Sequence, residues 1–293
     1  MSPDISPSRL GRSAAEVLLA CVIIARSGSF LLSKIALRSM QPLDLLSVRF
    51  VAAFAFLCLL FAGRLAKAQS GAVLRGLLLG FVFCATMACE LMGLRTSDSS
   101  RIAFLENSAF VFVPIYQAVL TRRLPSLRST VSVGVTLAGI ACLTLKNGLT
   151  GFAAGDLFGV ASAMLYAAAI VITDRSARGY DALTIGIVQV GGMALFSTLG
   201  ALACGGPKLP PTMTEWLCVA GLALVCTGFG FTLQPVAQSG TTAERAGLFC
   251  ALAPVSAGIL ALVFLGETFT ARSLIGAALV MTGILIPHFW RGE

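Results

Sequence analysis

The stretch from Ser100 to Leu120 combines the length of a membrane-spanning helix with side chains that can bind polar groups or exchange a proton. At the helical step of 100° per residue, one arc of about 120° holds Ala103, Glu106, Asn107, Phe110, Val113, Pro114 and Gln117. A lone carboxyl in hydrocarbon costs at least ~2.5 kcal/mol on insertion scales. We therefore expect this face to look into a helix bundle or a wet cavity, with Pro114 breaking the helix.

A second stretch, Ser239 to Leu265, echoes the first, because Ala243 and Pro254 have the spacing of Ala103 and Pro114. Its matching wall is built of small residues, which allow either close helix packing or a cavity lining. The predicted cavity residues are Glu106, Asn107, Phe110, Pro114, Gln117, Gly247, Cys250, Ala251, Pro254 and Tyr166.

Five charged residues lie inside apolar segments: Arg26, Lys34, Arg49, Glu90 and Glu106. All but Arg26 are predicted to lie at one level, near one side of the membrane. Three roles are open for these four residues. They could be a structural cluster of ion pairs, an outer gate whose charges separate when the site opens, or a direct contact with a bound molecule. Arg26 is deeper and must reach Glu90 or Glu106, free helix carbonyls, or the carboxylate of a bound molecule.

Composition places these residues in a membrane protein that crosses the bilayer many times. Of 293 residues, 57% are hydrophobic and 12% are charged, with a mean hydropathy of +0.91. The net charge of +8 comes from basic residues in short gaps, which excludes a nucleic-acid surface. The lipid bilayer is the expected environment, and no nucleic acid is an expected partner.

The same sequence offers little for catalysis or for a bound cofactor. Its nine cysteines stand singly and it has one histidine, so packing explains the cysteines better than a metal or redox site. No phosphate-binding loop and no Ser-His-Asp, H-E-x-x-H or Cys-His grouping is present. We expect no enzyme activity, no cofactor and no metal.

Ten apolar segments follow a tail of residues 1–13, and most have the length of a membrane helix rather than of a barrel strand. The predicted spans are Ala14–Leu37, Leu43–Phe61, Ala72–Leu94, Ser100–Leu120, Ser129–Leu145, Asp156–Thr173, Asp181–Ala203, Glu215–Leu233, Thr242–Leu265 and Thr270–Ile286. The predicted fold class is an all-α membrane protein of ten transmembrane helices.

The charges between spans predict orientation. One side collects Arg9, Arg12, Arg64, Lys67, Arg75, Arg122, Arg123, Arg128, Arg175, Arg178, Arg245 and Arg291. The other side holds only Arg38, Arg95, Arg101, Lys146, Lys208 and Arg272. The positive-inside rule then places both termini in the cytoplasm.

A glycine-rich gap after Leu145 divides the ten spans into two sets of five. Because five is odd, the second set, 147–293, must be inverted relative to the first, 14–146. In secondary transporters with such inverted repeats, the binding site lies between the halves near the membrane midplane.

Two segments resemble the EamA type of the drug/metabolite transporter superfamily. In Ile24–Leu60 the similar residues are Phe30, Lys34, Pro42 and the pair Arg49-Phe50. Pro254–Ile284 is similar to the last two helices of that family, including the glutamate after Leu-Gly, here Glu267. Two positions depart from the pattern: Arg26 stands where the family usually has Trp, and the first half has Arg122-Arg123 where Glu267 stands in the second.

The resemblance implies a ten-helix exporter that acts by alternating access in the bacterial inner membrane. Its implied substrates are small metabolites, with amino acids, including aromatic ones, as the most similar case. Another small metabolite or a drug is the alternative within the superfamily, and a passive channel or an intramembrane enzyme is the alternative outside it. A monomer is the expected assembly.

Overall fold

The structure is a computed structural model that describes residues 12–122, 127–144, 154–176, 180–233, 237 and 252–289. Its helices are α1 (Arg12–Ala36), α2 (Pro42–Leu65), α3 (Ser70–Thr96), α4 (Ser99–Asn107), α5 (Ala109–Thr121), α6 (Leu127–Thr144), α7 (Ala154–Ser176), α8 (Ala182–Ala203), α9 (Met213–Ala220), α10 (Leu252–Leu265) and α11 (Ala271–Phe289). A π-helix over Gly221–Phe231, here the π segment, continues α9. No strand occurs in the described residues.

Seven stretches of the described chain are long and apolar enough to cross a membrane. They correspond to α1, α2, α3, α4 with α5, α7, α8, and α9 with the π segment. Three shorter apolar helices fall at the remaining predicted spans: Thr130–Leu143, Leu252–Leu265 and Ala271–Ile286. Apolar side chains on the outer surface, such as Leu59 and Leu74, are 83% and 71% exposed, as expected for groups that face lipid. The chain is therefore an all-helical membrane protein that crosses the bilayer several times.

Helix ends follow local sequence signals. Pro42 stands in the first turn of α2, where its missing N–H leaves no bond unmade. Asp181 precedes α8, and its carboxylate accepts a hydrogen bond of 3.1 Å from the backbone N–H of Thr184. Gly266 follows α10 with a φ of 65°, the left-handed conformation that commonly ends a helix.

The fourth span breaks at a different place from the predicted one. α4 ends at Asn107 and α5 begins at Ala109, so the break at Ser108 lies six residues before Pro114. The carbonyl four residues before Pro114 belongs to Phe110, inside α5, so the proline alone does not place the break. Two side chains also bond to backbone carbonyls there: Asn107 Nδ2 donates to Ala103 O at 2.8 Å and Ser108 Oγ to Leu105 O at 2.5 Å.

The helices pack in a small number of extensive pairs. α6 packs with α11, α2 with α8, and α3 with both α7 and α8. α1 packs with α10 and the π segment, while α7 packs with α4 and α5, and α4 with α10. Glycines allow the closest approaches: a Cβ on Gly80 of α3 would lie 2.7 Å from Gly192 Cα of α8. Such small residues at the contact are typical of helix pairs in membranes.

Candidate functional site

A cavity among seven of these elements contains four of the five charged residues predicted to matter. It encloses about 570 Å³ of space not filled by atoms, part of it open to the outside. Its lining residues are Ile23, Arg26, Ser27, Ser29, Phe30, Arg49, Met87, Glu90, Glu106, Asn107, Tyr166, Cys226, Phe231 and Ala253. They come from α1, α2, α3, α4, α7, the π segment and α10, so both halves of the sequence contribute.

Arg49 is held by α2 at the cavity wall with 1% of its side chain exposed. Its Nε donates to Thr227 Oγ1 at 3.0 Å and its Nη1 donates to Ser29 Oγ at 3.2 Å. Its Nη2 has no hydrogen-bond partner in the described part of the chain. A buried guanidinium with a free N–H group can donate hydrogen bonds to a carboxylate or another anion.

Arg26 reaches the cavity from α1 and lies on an aromatic ring. Its guanidinium carbon is 4.2 Å from the centroid of the Phe231 ring, a cation–π distance. Gly230 leaves room for the arginine stem, since a Cβ there would lie 2.5 Å from Arg26 Cγ. The stacked ring fixes the position of a second cation on the wall that holds Arg49.

Two carboxyl groups supply the negative charge of the cavity. Glu90 of α3 is 1% exposed, and neither of its oxygens has a hydrogen-bond partner among the described residues. Glu106 of α4 is 7% exposed and accepts a hydrogen bond of 3.0 Å from Ser162 Oγ of α7. The charged groups that act on Glu90 are Glu106, Arg49 and Arg26. Glu90 and Glu106 are close enough to share a hydrogen bond when one of them is protonated, so the pair suits either a bound cation or a proton.

A row of aromatic rings borders the charged groups. The Phe83 ring packs edge-on against Tyr166 at 5.9 Å and against Phe231 at 5.8 Å, measured between centroids. Phe30 and Met87 add further apolar surface to the lining. A few convergent polar groups on a mainly apolar wall are typical of a small-molecule site.

The structure brings Arg26, Arg49, Glu90, Glu106, Asn107 and Tyr166 together at this cavity. It does not place Lys34 with them, although the sequence predicted a common level. Lys34 Nζ donates instead to the carbonyl oxygens of Leu94 and Ser97, at the C-terminal end of α3. The reason is local: the last carbonyls of a helix lack intrahelical partners and attract a cation.

Other predicted cavity residues have different outcomes. Pro254 is buried in α10 and is not among the lining residues. Phe110, Pro114 and Gln117 lie in α5, and their side chains are outside the described residues, as are Gly247, Cys250 and Ala251 altogether. Sequence reasoning missed Ser29, Cys226 and Phe231. The TGFGF motif at Thr227–Phe231 was the available signal, because its glycines and threonine interrupt an apolar segment.

A metal site is not formed by the described residues, which contain no group of three His, Cys, Asp or Glu side chains placed to hold an ion. The cavity is therefore best described by its two arginines and two glutamates. Their formal charges sum to zero, and the two residues with unpartnered atoms, Arg49 and Glu90, both line the cavity. This arrangement suits a ligand that carries a positive and a negative group.

Comparison with known proteins gives the chain a family. The family model described as the EamA-like transporter family matches residues 13–145 and again 153–287. An uncharacterized transporter of Archaeoglobus fulgidus is 23% identical over 285 residues, which cover 94% of this chain and 97% of that protein. A second uncharacterized transporter of the same organism is 26% identical over 211 residues, or 70% and 72% of the two chains.

One crystal structure has the same fold, with a TM-score of 0.67 and 19% identity, and it covers 94% of this chain and 97% of its own. Together with the two family matches, which span most of the sequence, these similarities agree with the helical membrane architecture. The chain is a member of the EamA-like transporter family, within the drug/metabolite transporter superfamily.

Proposed function

We propose that this protein is a secondary transporter that exports small zwitterionic metabolites, amino acids including aromatic ones among them, by alternating access. The observation that carries the proposal is the pair of unpartnered charges in the cavity. Arg49 Nη2 and both oxygens of Glu90 are buried without hydrogen-bond partners among the described residues. Leaving such groups unsatisfied is costly, so a bound molecule with a carboxylate and an ammonium group would stabilise both.

The aromatic row supports the finer choice of substrate. Tyr166, Phe83 and Phe231 lie beside the charged groups, where the side chain of a bound amino acid would extend. Aromatic rings pack favourably edge to face, by about 0.5–1.5 kcal/mol beyond their area burial. An aromatic or large apolar side chain therefore fits this wall better than a charged one.

Two inverted repeats of five helices, residues 14–146 and 147–293, are the proposed moving parts. The family model matches once in each. The helix packing supports this repeat, because contacts made by helices of one half have counterparts in the other. The contact of α3 with α7 corresponds to that of the π segment with α1. Likewise, the contacts of α4 and α5 with α7 correspond to those of α10 with α1. Rocking of one repeat against the other would expose the cavity alternately to the two sides.

The positive-inside rule supports an orientation with both termini in the cytoplasm of a bacterial cell and the protein in the inner membrane. A monomer contains every helix that lines the cavity. The competing classes, a passive channel and an intramembrane enzyme, have less support. The cavity holds charged side chains of both signs rather than a filter of repeated carbonyls, and the family is one of transporters.

Counterflow in proteoliposomes tests the function. Vesicles loaded with an unlabelled amino acid should accumulate the labelled one transiently, because an alternating-access carrier exchanges internal for external substrate. N-acetylated and carboxyl-amidated derivatives serve as controls, since each lacks one of the two charges. Uptake that reaches equilibrium without overshoot for every compound would instead indicate a channel.

A further inference from the structure

A carboxylate from the connection between α10 and α11 binds the first residues of α4. Glu267 Oε1 accepts a hydrogen bond of 2.6 Å from the backbone N–H of Ser99. Its Oε2 accepts from the backbone N–H of Ser100 at 3.1 Å and from Ser100 Oγ at 2.6 Å. Gly266, with its left-handed φ of 65°, makes the turn that presents Glu267 to α4.

α4 lacks a cap of its own. Asp98 occupies the position before the helix, but its side chain makes no capping hydrogen bond. Its carboxylate lies instead 3.6 Å from Arg101 Nη2. The first N–H groups of a helix need acceptors from outside, and the positive end of the helix dipole favours an anion. Glu267, 167 residues away from Ser100, supplies that anion.

Lys34 binds the C-terminal end of α3, which the turn at Ser97 and Asp98 connects to α4. It binds the last carbonyls of α3, at Leu94 and Ser97, and it attracts Glu267 electrostatically. Two charged side chains thus hold the two helix ends that meet at Ser97 and Asp98. Both belong to other elements, α1 and the connection after α10.

We infer that Glu267 is a positioning residue that latches α10 to α4 and keeps the cavity closed on this face of the membrane. The inference rests on the proposed alternating access. Opening this face requires α4 to separate from α10, with which it packs. That movement breaks three charge-assisted hydrogen bonds and leaves the α4 N-terminus without an acceptor.

The first half has no glutamate at the position that corresponds to Glu267. Its sequence there is Arg122-Arg123. An arginine donates hydrogen bonds and cannot accept one from a helix N-terminus.

Cys226 is a native reporter for this inference, because it lines the cavity and is 2% exposed. An impermeant thiol reagent is applied to right-side-out and to inside-out membrane vesicles that contain the full chain. Mass spectrometry of the peptide with Cys226 then gives the labelling rate from each face. The variants are Glu267→Gln, Glu267→Asp, Ser100→Ala and, as matched control, Asp181→Asn, which alters a half-exposed carboxylate that caps α8 and lies 3.8 Å from Arg64 Nε of α2.

Glu267→Gln should raise labelling from the Glu267 face by about tenfold, the effect of losing one charge-assisted hydrogen bond. Labelling from the opposite face should not rise. Ser100→Ala, which removes only the hydroxyl bond, should shift labelling in the same direction by less, and Glu267→Asp should partly restore the wild-type rate. Asp181→Asn should leave both rates unchanged.

An equal rise from both faces in Glu267→Gln would show a loosened fold and overturn the inference, as would an unchanged rate in both Glu267→Gln and Ser100→Ala. Counterflow on the same preparations separates the two levels of the proposal. If the wild type shows counterflow and labelling is unchanged in Glu267→Gln and Ser100→Ala, the role of Glu267 is refuted and the transport function stands. If the wild type shows no counterflow, the transport function is refuted whatever the labelling rates.

Discussion

Ser162 Oγ donates a hydrogen bond of 3.0 Å to Glu106 Oε2, which joins α7 to α4 inside the membrane. Ser162 is fully buried and Glu106 nearly so. The bond links one stretch matched by the family model to the other, at the wall of the cavity. Glu106 is thus both a packing partner and a cavity group, and its two roles are separable by substitution.

Glu106→Gln keeps the shape of the side chain and an oxygen that can accept from Ser162, but it removes the exchangeable proton. If Glu106 carries a coupled proton, the variant folds and retains counterflow, which requires no net proton movement, while uptake driven by a pH gradient is lost. The measurement compares the two transport modes on one preparation. Loss of both modes together with lower thermal stability would assign Glu106 to a structural or gating contact instead.

Ser162→Ala is the matched control, because it removes the hydrogen bond and leaves the carboxyl in place. We expect pH-driven uptake to persist in this variant. A loss of pH-driven uptake equal to that of Glu106→Gln would mean that the bond to Ser162, rather than the proton of Glu106, supports coupling.

Asp156 and Arg101 form a buried ion pair that joins α7 to α4, with 3.3 Å between Oδ2 and Nη1. Asp156→Asn leaves the Arg101 charge buried, and breaking such a pair costs about 3–5 kcal/mol. We expect a markedly lower thermal unfolding temperature in detergent. Asp98→Asn is the control: its side chain is 55% exposed, so losing its contact with Arg101 should cost no more than about 1 kcal/mol. Equal effects of the two substitutions would contradict the assignment.

Two glycines of α6 should respond oppositely to alanine. A Cβ on Gly139 would lie 2.7 Å from the backbone nitrogen of Val280 in α11, whereas a Cβ on Gly134 meets nothing within 4 Å. Gly139→Ala should therefore destabilise the protein by about 1–3 kcal/mol through overpacking. Gly134→Ala should be neutral or stabilising by up to about 1 kcal/mol, because alanine favours the helix. Thermal unfolding measures both, and a tolerated Gly139→Ala would show that α6 and α11 can move apart.

Orientation is tested by single cysteines at Asn147 and Ser126. An impermeant reagent should label Asn147 from outside intact spheroplasts and leave Ser126 unlabelled. The reverse pattern would invert the proposed topology and place the Glu267 face in the cytoplasm.

Much of the architecture could be predicted because hydropathy records it directly. Seven of the predicted apolar segments fall on described stretches long enough to cross a membrane and the other three on shorter helices, with residues 242–251 of the ninth outside the described part of the chain. Segment ends shifted by a few residues, since capping at Asp181 and the turn at Gly266 are local features that hydropathy does not resolve. The inverted repeat remains a prediction.

For the charged residues, the sequence predicted depth in the membrane but not the direction in which each side chain points. Counting depth along each helix singled out Arg49, Glu90 and Glu106, which the structure places at one cavity, because a charge within an apolar segment must find a polar environment. It could not separate Lys34 from them, since depth does not say which way a side chain turns around the helix. Nor could it find the bond from Glu267 to Ser100, which joins residues far apart in the chain.

In the proposed binding mode, Arg49 and Glu90 contact the two charges of the transported molecule. Counterflow of labelled phenylalanine and of N-acetylphenylalanine by the wild type, Glu90→Gln and Arg49→Lys tests these contacts. The wild type should prefer phenylalanine, Glu90→Gln should lose about tenfold or more for phenylalanine while sparing the acetylated form, and Arg49→Lys should weaken both, since both keep the carboxylate. An unchanged ratio of the two compounds in Glu90→Gln, with transport intact, would contradict the claim.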